Sequence, residues 1–112
     1  MRVLSICFIL FFVLGYPESN AEDFVVRGYG GSTCAQFGQN YKDNLDFEAA
    51  YYSWALGFMS GLNFAQKPGE IMRNLGGNTD ENKAALRRYC ANNPLKNYMD
   101  AVTAVYLGLP VL

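Results

Sequence analysis

Two cysteines, Cys34 and Cys90, constrain this chain more than any other feature, because they stand where a single covalent bond would tie the start of a small domain to its last third. Their meaning depends on compartment, and the N-terminus reads as an export signal. Arg2 supplies one positive charge, Val3 to Leu14 form an uncharged apolar run, and Gly15, Tyr16 and Pro17 lead to Ser19-Asn20-Ala21. Small side chains at positions 19 and 21, with Pro17 breaking the helix before them, suit a signal peptidase cutting after Ala21. The apolar run has twelve residues, short of the ~20 that a membrane-spanning helix needs. An uncleaved anchor is the rival reading. Cys7 follows Ile6 rather than a small residue, so it does not make a lipoprotein box and reads as apolar filler in the leader.

Without the 21-residue leader, 91 of the 112 residues remain, enough for one domain. Two cysteines are then left in a chain bound for an oxidising compartment, which favours a disulfide with only one connectivity. Two free thiols are the alternative, and a metal site has no histidine to complete it. Eight basic residues face nine acidic ones after Ala21, and the basic residues never cluster beyond pairs, which argues against nucleic acid as a partner.

The pattern after residue 21 is helical. Residues 22–32 read as an extended N-terminal arm, Phe24-Val25-Val26 followed by the loose Gly28-Tyr29-Gly30-Gly31 stretch, whose glycines lack the spacing of a phosphate loop. Residues 33–112 read as the helical domain. Thr33 and Gln36 form a capping-box signature for a first helix to about Lys42. Asp43-Asn44-Leu45-Asp46 is a turn in which Asp46 can cap the next helix, Phe47 to Ala65.

In that long helix Phe47, Tyr51, Trp54, Phe58, Leu62 and Ala65 recur at spacings of three and four, with Tyr52, Leu56 and Met59 as a second stripe. Being apolar on nearly every side, it is expected at the centre of the bundle, with Gly57 and Gly61 admitting a close neighbour within the monomer or in a second copy, so that a homodimer is among the expected assemblies. The uncharged stretch Ala49 to Ala65 also fits a dimerising membrane helix, although Ser53, Ser60, Asn63 and two tyrosines count against it.

Glu70 to Leu75 reads as a short helix stopped by Gly76-Gly77, and Thr79 as the cap of a helix with Asp80 and Glu81 first and Arg87 and Arg88 last. Leu86 and Cys90 share its inward face. Pro94 is expected at the first position of a last helix carrying Leu95, Tyr98, Met99, Val102, Val105, Tyr106 and Leu109. The expected fold is therefore all-α, a single small bundle of four main helices plus a short one, stapled by one disulfide. Its expected core includes Tyr51, Trp54, Gly57, Phe58, Gly61, Leu62, Leu86, Met99 and Val102.

Thr33-Cys34 opening a helix, the Gly57-x-x-Ser60-Gly61 pattern, Cys90-x-x-Asn93-Pro94 before the last helix and Asp100-Ala101-Val102 together resemble the small secreted HdeA/HdeB-type proteins from Thr33 to Tyr106. The same positions are similar to periplasmic immunity proteins that block cell-wall amidases. The first resemblance implies an acid-stress chaperone that exposes apolar surface to unfolding clients, and neutralising nine carboxylates would carry the exported chain from a net charge of about −1 to about +8. The second implies an inhibitor of a toxin enzyme. Both imply a periplasmic or secreted protein with no membrane contact after leader removal.

No catalytic residues, cofactor or metal are expected. The chain has no histidine, the pairs Asp80-Glu81 and Asp46-x-Glu48 sit in helix first turns where capping accounts for them, and Asp43-Asn44-x-Asp46 lacks the closing Glu of a calcium loop. The Tyr51, Trp54 and Phe58 cluster reads as core before it reads as a ligand cleft. Candidate protein-contact residues are Phe24, Val25, Val26 and Tyr29 on the arm, with Arg73 and Arg88 as further anchors.

Overall fold

A computed structural model describes residues 25–112; residues 1–24, which include the expected leader and Phe24, lie outside the described residues. The fold is all-helical. A single 3-10 turn at Gly28–Gly31 precedes α1 (Cys34–Asp43), α2 (Leu45–Phe64), α3 (Thr79–Asn92) and α4 (Tyr98–Gly108). α1 packs on α2 and α3, α4 packs on α2 and α3, and the 3-10 turn lies against α2 and α4.

Local chemistry sets each helix start. Thr33 and Gln36 close the capping box of α1 reciprocally, with Gln36 N–H donating to Thr33 Oγ1 at 3.1 Å and Thr33 N–H to Gln36 Oε1 at 2.9 Å. Asn44, not Asp46, caps α2 by accepting from Asp46 N–H, and Asn78, not Thr79, caps α3 by accepting from Asp80 and Glu81 N–H. In both cases the amide oxygen one or two positions earlier reaches the exposed N–H groups first.

Two segments depart from the sequence expectation. Glu70 to Leu75 is not helical: Arg73 bridges Val111 instead, and Asn74 N–H donates to Pro110 O at 2.8 Å and Leu112 N–H to Met72 O at 3.0 Å. The short helix of the bundle is the turn at Gly28–Gly31. The last helix begins at Tyr98 rather than Pro94, because the carbonyls of Pro94 and Lys96 accept from the first N–H groups of α1, Ala35 at 3.0 Å and Cys34 at 2.7 Å. A helix through 94–97 would need those carbonyls itself. Leu95 accordingly points out, 92% exposed.

The disulfide joins Cys34, at the first turn of α1, to Cys90, near the end of α3, with the two Cα atoms 4.6 Å apart. Around it the backbone pairs Thr33 with Asn97, and Tyr98 N–H donates to Ser32 O at 2.8 Å.

The core is aromatic. Phe37, Tyr51 and Tyr98 meet with ring centroids 4.8–4.9 Å apart, in tilted and edge-on arrangements worth about 0.5–1.5 kcal/mol per pair beyond their burial. Tyr51 keeps its hydroxyl satisfied by Asn40 Nδ2 at 3.0 Å, and burial pushes the Tyr98 phenol well above its ordinary pKa.

The buried stripe of α2 is Glu48, Tyr51, Tyr52, Ala55 and Met59, one step round from the Phe47–Trp54–Phe58 stripe. Of the expected core, Tyr51, Leu86 and Val102 are buried, while Trp54, Phe58, Leu62 and Met99 are only partly so. Gly57 and Gly61 are exposed, and a Cβ added to either meets nothing within 4 Å. No other helix of the chain packs on them among the described residues. No helix among the described residues is long and apolar enough to cross a membrane.

Candidate functional site

The N-terminal residues expected to form a loose arm are laid against α2. Trp54 organises them: its Nε1 donates to Arg27 O at 3.1 Å, its ring stacks on Phe58 at 5.2 Å and 13°, and Tyr98 lies beneath it at 6.2 Å. Gly30 is buried over the same ring, and Gly28 takes a positive φ of 77° that lets the chain turn there. Tyr29 packs on Tyr51 with centroids 4.4 Å apart, so it anchors the turn to the core and is not an open contact residue.

Beside this seam Val25 and Val26 line an open, mostly apolar cavity of about 420 Å³ with Arg27, Trp54, Phe58 and Met99. Val25 is 75% exposed. The cavity mouth thus carries a stacked aromatic pair held by a backbone hydrogen bond below and framed by two β-branched side chains above. The Trp54 and Phe58 rings are held by their mutual stack and by the Nε1 hydrogen bond, while Val25 stands open to solvent. Gly30 is the residue on which the corner depends. A Cβ at position 30 would lie 2.0 Å from Cη2 of Trp54, so Gly30→Ala is expected to displace the indole. Trp54 is the chain's single tryptophan; a red-shifted emission, with a loss of about 1–3 kcal/mol in urea unfolding, is the expected result. Unchanged emission would mean that the ring has room to spare.

The other expected contact residues are placed differently. Arg73 is a structural clamp: its N–H donates to Asn63 Oδ1 at 2.9 Å, its carbonyl accepts from Asn63 Nδ2 at 2.8 Å, and its guanidinium donates to Leu109 O at 3.0 Å, just past the end of α4. Tyr106 Oη donates to the same Asn63 oxygen at 2.7 Å. Asn63 therefore stands in for a backbone partner to the 66–78 connection, and the Arg73 guanidinium is partly engaged by Leu109 O. Arg88 is exposed on α3 and lines a second, open groove between α3 and α4. Val25 and Val26 are the contact candidates that the fold brings together with the aromatic cluster; Phe24, next in sequence, lies outside the described residues.

Glu48 is the functional-type side chain that the sequence pattern disguised. It reads as a first-turn acid, yet its side chain is 8% exposed and forms a two-point ion pair with Nε and Nη2 of Arg87 on α3. Hydrogen bonding to Glu48 holds the Arg87 pKa above its ordinary value, and the guanidinium also covers the Tyr41 ring at 5.6 Å. Glu48 shares one helical face with Tyr51, Tyr52, Ala55 and Met59, but an equally apolar stripe beside it leaves that face unmarked in the sequence. Among the described residues no group of three or more His, Cys, Asp or Glu side chains is placed to hold a metal ion. No protein-family model, curated protein or solved structure matches the chain.

Proposed function

We propose that this protein is exported and acts by binding other proteins rather than by catalysis, and that the Val25–Val26–Trp54–Phe58–Met99 corner is where a partner's apolar side chain docks. The single observation that carries this reading is the Trp54–Phe58 stack, two large aromatic side chains left partly open at an apolar cavity of about 420 Å³. Large aromatic anchors in pre-formed pockets dominate protein recognition. The disulfide and the resemblance to HdeA/HdeB-type proteins favour an envelope setting, and an unfolding client in acid stress is the partner class that follows.

The test is light scattering from an acid-unfolding client enzyme at about pH 2.5, below the ordinary carboxylate pKa values, with and without equimolar protein. Suppression of scattering by the wild type and its loss in Phe58→Ala and Met99→Ala is the expected result. No suppression by the wild type removes the client-binding reading; suppression unchanged in both variants moves the contact away from this corner.

The tight floor beneath the corner, where Tyr98 and Tyr51 lock Trp54 and Tyr29 to the core, also suits one pre-organised partner such as a cell-wall lytic enzyme. Inhibition of such an enzyme at neutral pH, sensitive to the same two substitutions, would favour that second reading over the first.

A further inference from the structure

The pairing of residues 72–74 with residues 110–112 leaves one side of a short ladder open. Arg73 and Val111 stand opposite each other in an antiparallel bridge. The two hydrogen bonds that make the bridge belong to their neighbours, Asn74 N–H to Pro110 O at 2.8 Å and Leu112 N–H to Met72 O at 3.0 Å. In that pattern the backbone groups of the bridged residues themselves point outward, away from each other. On one side the Asn63 carboxamide meets both N–H and C=O of Arg73, as a neighbouring strand would. On the other side Val111 N–H and C=O have no partner among the described residues. Burial alternates along the ladder: Arg73 and Leu75 are half-buried and Leu109 is buried, whereas Met72, Asn74, Pro110 and Leu112 are exposed. Met72 and Leu112 lie opposite each other on that outer face, 42% and 74% exposed.

The geometry points to a strand-addition site whose occupant is an extended segment of another protein, apolar at alternate positions. One residue of that segment exchanges both backbone hydrogen bonds with Val111 in antiparallel register, filling the edge that Asn63 fills on the other side. The two residues flanking it then place their side chains on the outer face, beside Pro110 and Leu112, where apolar groups remove exposed surface from water. Two independent features select this occupant. A donor and an acceptor side by side on one residue call for extended backbone, which a helix cannot offer because its own N–H and C=O groups are already paired. The apolar outer face calls for alternation, because successive side chains of a strand point to opposite faces. The site shares no residue with the aromatic corner, and the inference stands whether or not that corner binds a partner.

The test is fluorescence anisotropy of a labelled peptide of alternating valine and threonine, with a lysine at each end for solubility, titrated with the disulfide-bonded protein. Methylating the peptide's backbone nitrogens at every threonine blocks the edge that puts valine side chains on the outer face; methylating at every valine leaves that edge intact. Binding of the plain and the valine-methylated peptides, with loss for the threonine-methylated one, is the expected result on the unaltered protein. On the protein side, Val111→Pro removes the N–H that the edge offers, a group the fold itself does not use. It is expected to weaken binding by roughly fivefold or more, with the circular dichroism melt unchanged, while Val111→Ala, which keeps the N–H, binds nearly as the wild type does. Failure of the plain peptide to bind, equal binding of the two methylated peptides, or indifference to Val111→Pro overturns the proposal. So does self-association that Val111→Pro abolishes in a protein that takes no peptide, since the edge would then belong to a second copy.

Discussion

Replacing both Cys34 and Cys90 by alanine lowers the unfolding free energy by about 4 kcal/mol, the value expected in the chain-entropy picture for a bridge closing a loop of this length. The bond spans 56 positions, and the unfolded chain that loses it gains the freedom of that whole loop. In a domain of this size each kcal/mol moves the melting temperature by roughly 4–8 °C, so the variant is expected to melt some tens of degrees lower. Native-state structure sharpens the effect. The cysteines are 1% and 4% exposed and sit within a ring of backbone hydrogen bonds, Cys34 to Lys96, Ala35 to Pro94 and Tyr98 to Ser32. Those bonds hold the entry to α1 against the entry to α4, and α3 is secured to both only through the sulfur bridge and side-chain packing. Urea unfolding of the wild type with and without reductant, beside the double alanine variant, checks the expectation. Coincident midpoints in all three samples would show that packing alone closes the bundle.

The sequence made some of this visible and hid the rest for reasons that can be named. The α1 start was legible because a capping box is a local device: Thr33 and Gln36 satisfy each other without help from elsewhere. The disulfide was legible because two cysteines left after an expected leader admit one pairing. The face of α2 was not. A helix with aromatic or aliphatic side chains on most of its circumference has no apolar side of its own, and what selects Glu48, Tyr51, Tyr52, Ala55 and Met59 is the position of Arg87 and of Phe37 and Tyr98 on other helices. Residues 70–75 misled for the opposite reason. Ile71, Met72 and Leu75 have helical spacing, but six residues between Gly69 and Gly76 are too few to repay helix nucleation; the carboxamide of Asn63 and the C-terminal residues take the backbone groups instead. The aromatic corner was half legible. Val25, Val26, Trp54 and Phe58 were each marked, yet Trp54 and Phe58 as core and the valines as a mobile arm, because only tertiary structure shows that Gly30 lets the backbone lie on the indole.

Arg87→Ala is expected to destabilise the protein by about 3 kcal/mol, and Glu48→Met by distinctly less. The asymmetry comes from burial. The Glu48 side chain is 8% exposed and that of Arg87 is 41% exposed. Deleting the arginine strands a carboxylate where little water reaches it, the situation that costs about 3–5 kcal/mol in buried pairs; the low end applies because the cation side of this pair is open to solvent. Deleting the carboxylate leaves a guanidinium that can turn to water and keep its place over Tyr41. Arg87→Lys separates charge from geometry: lysine keeps the positive charge but cannot donate two fixed N–H groups to the two oxygens of Glu48, so an intermediate loss is expected. A double-mutant cycle over Arg87→Ala and Glu48→Met, read by urea midpoints at neutral pH, isolates the coupling. A cycle near zero, with both single variants costing alike, would mean that the pair is held by its surroundings and contributes no attraction of its own. A large coupling carries a further consequence for the bundle. The disulfide ties α3 to α1, whereas this pair and the contacts of Tyr52 with Asn82 and Lys83 link α3 to α2. Their loss would loosen α3 from α2 while leaving its packing on α1 and α4 and the Phe37–Tyr51–Tyr98 centre in place.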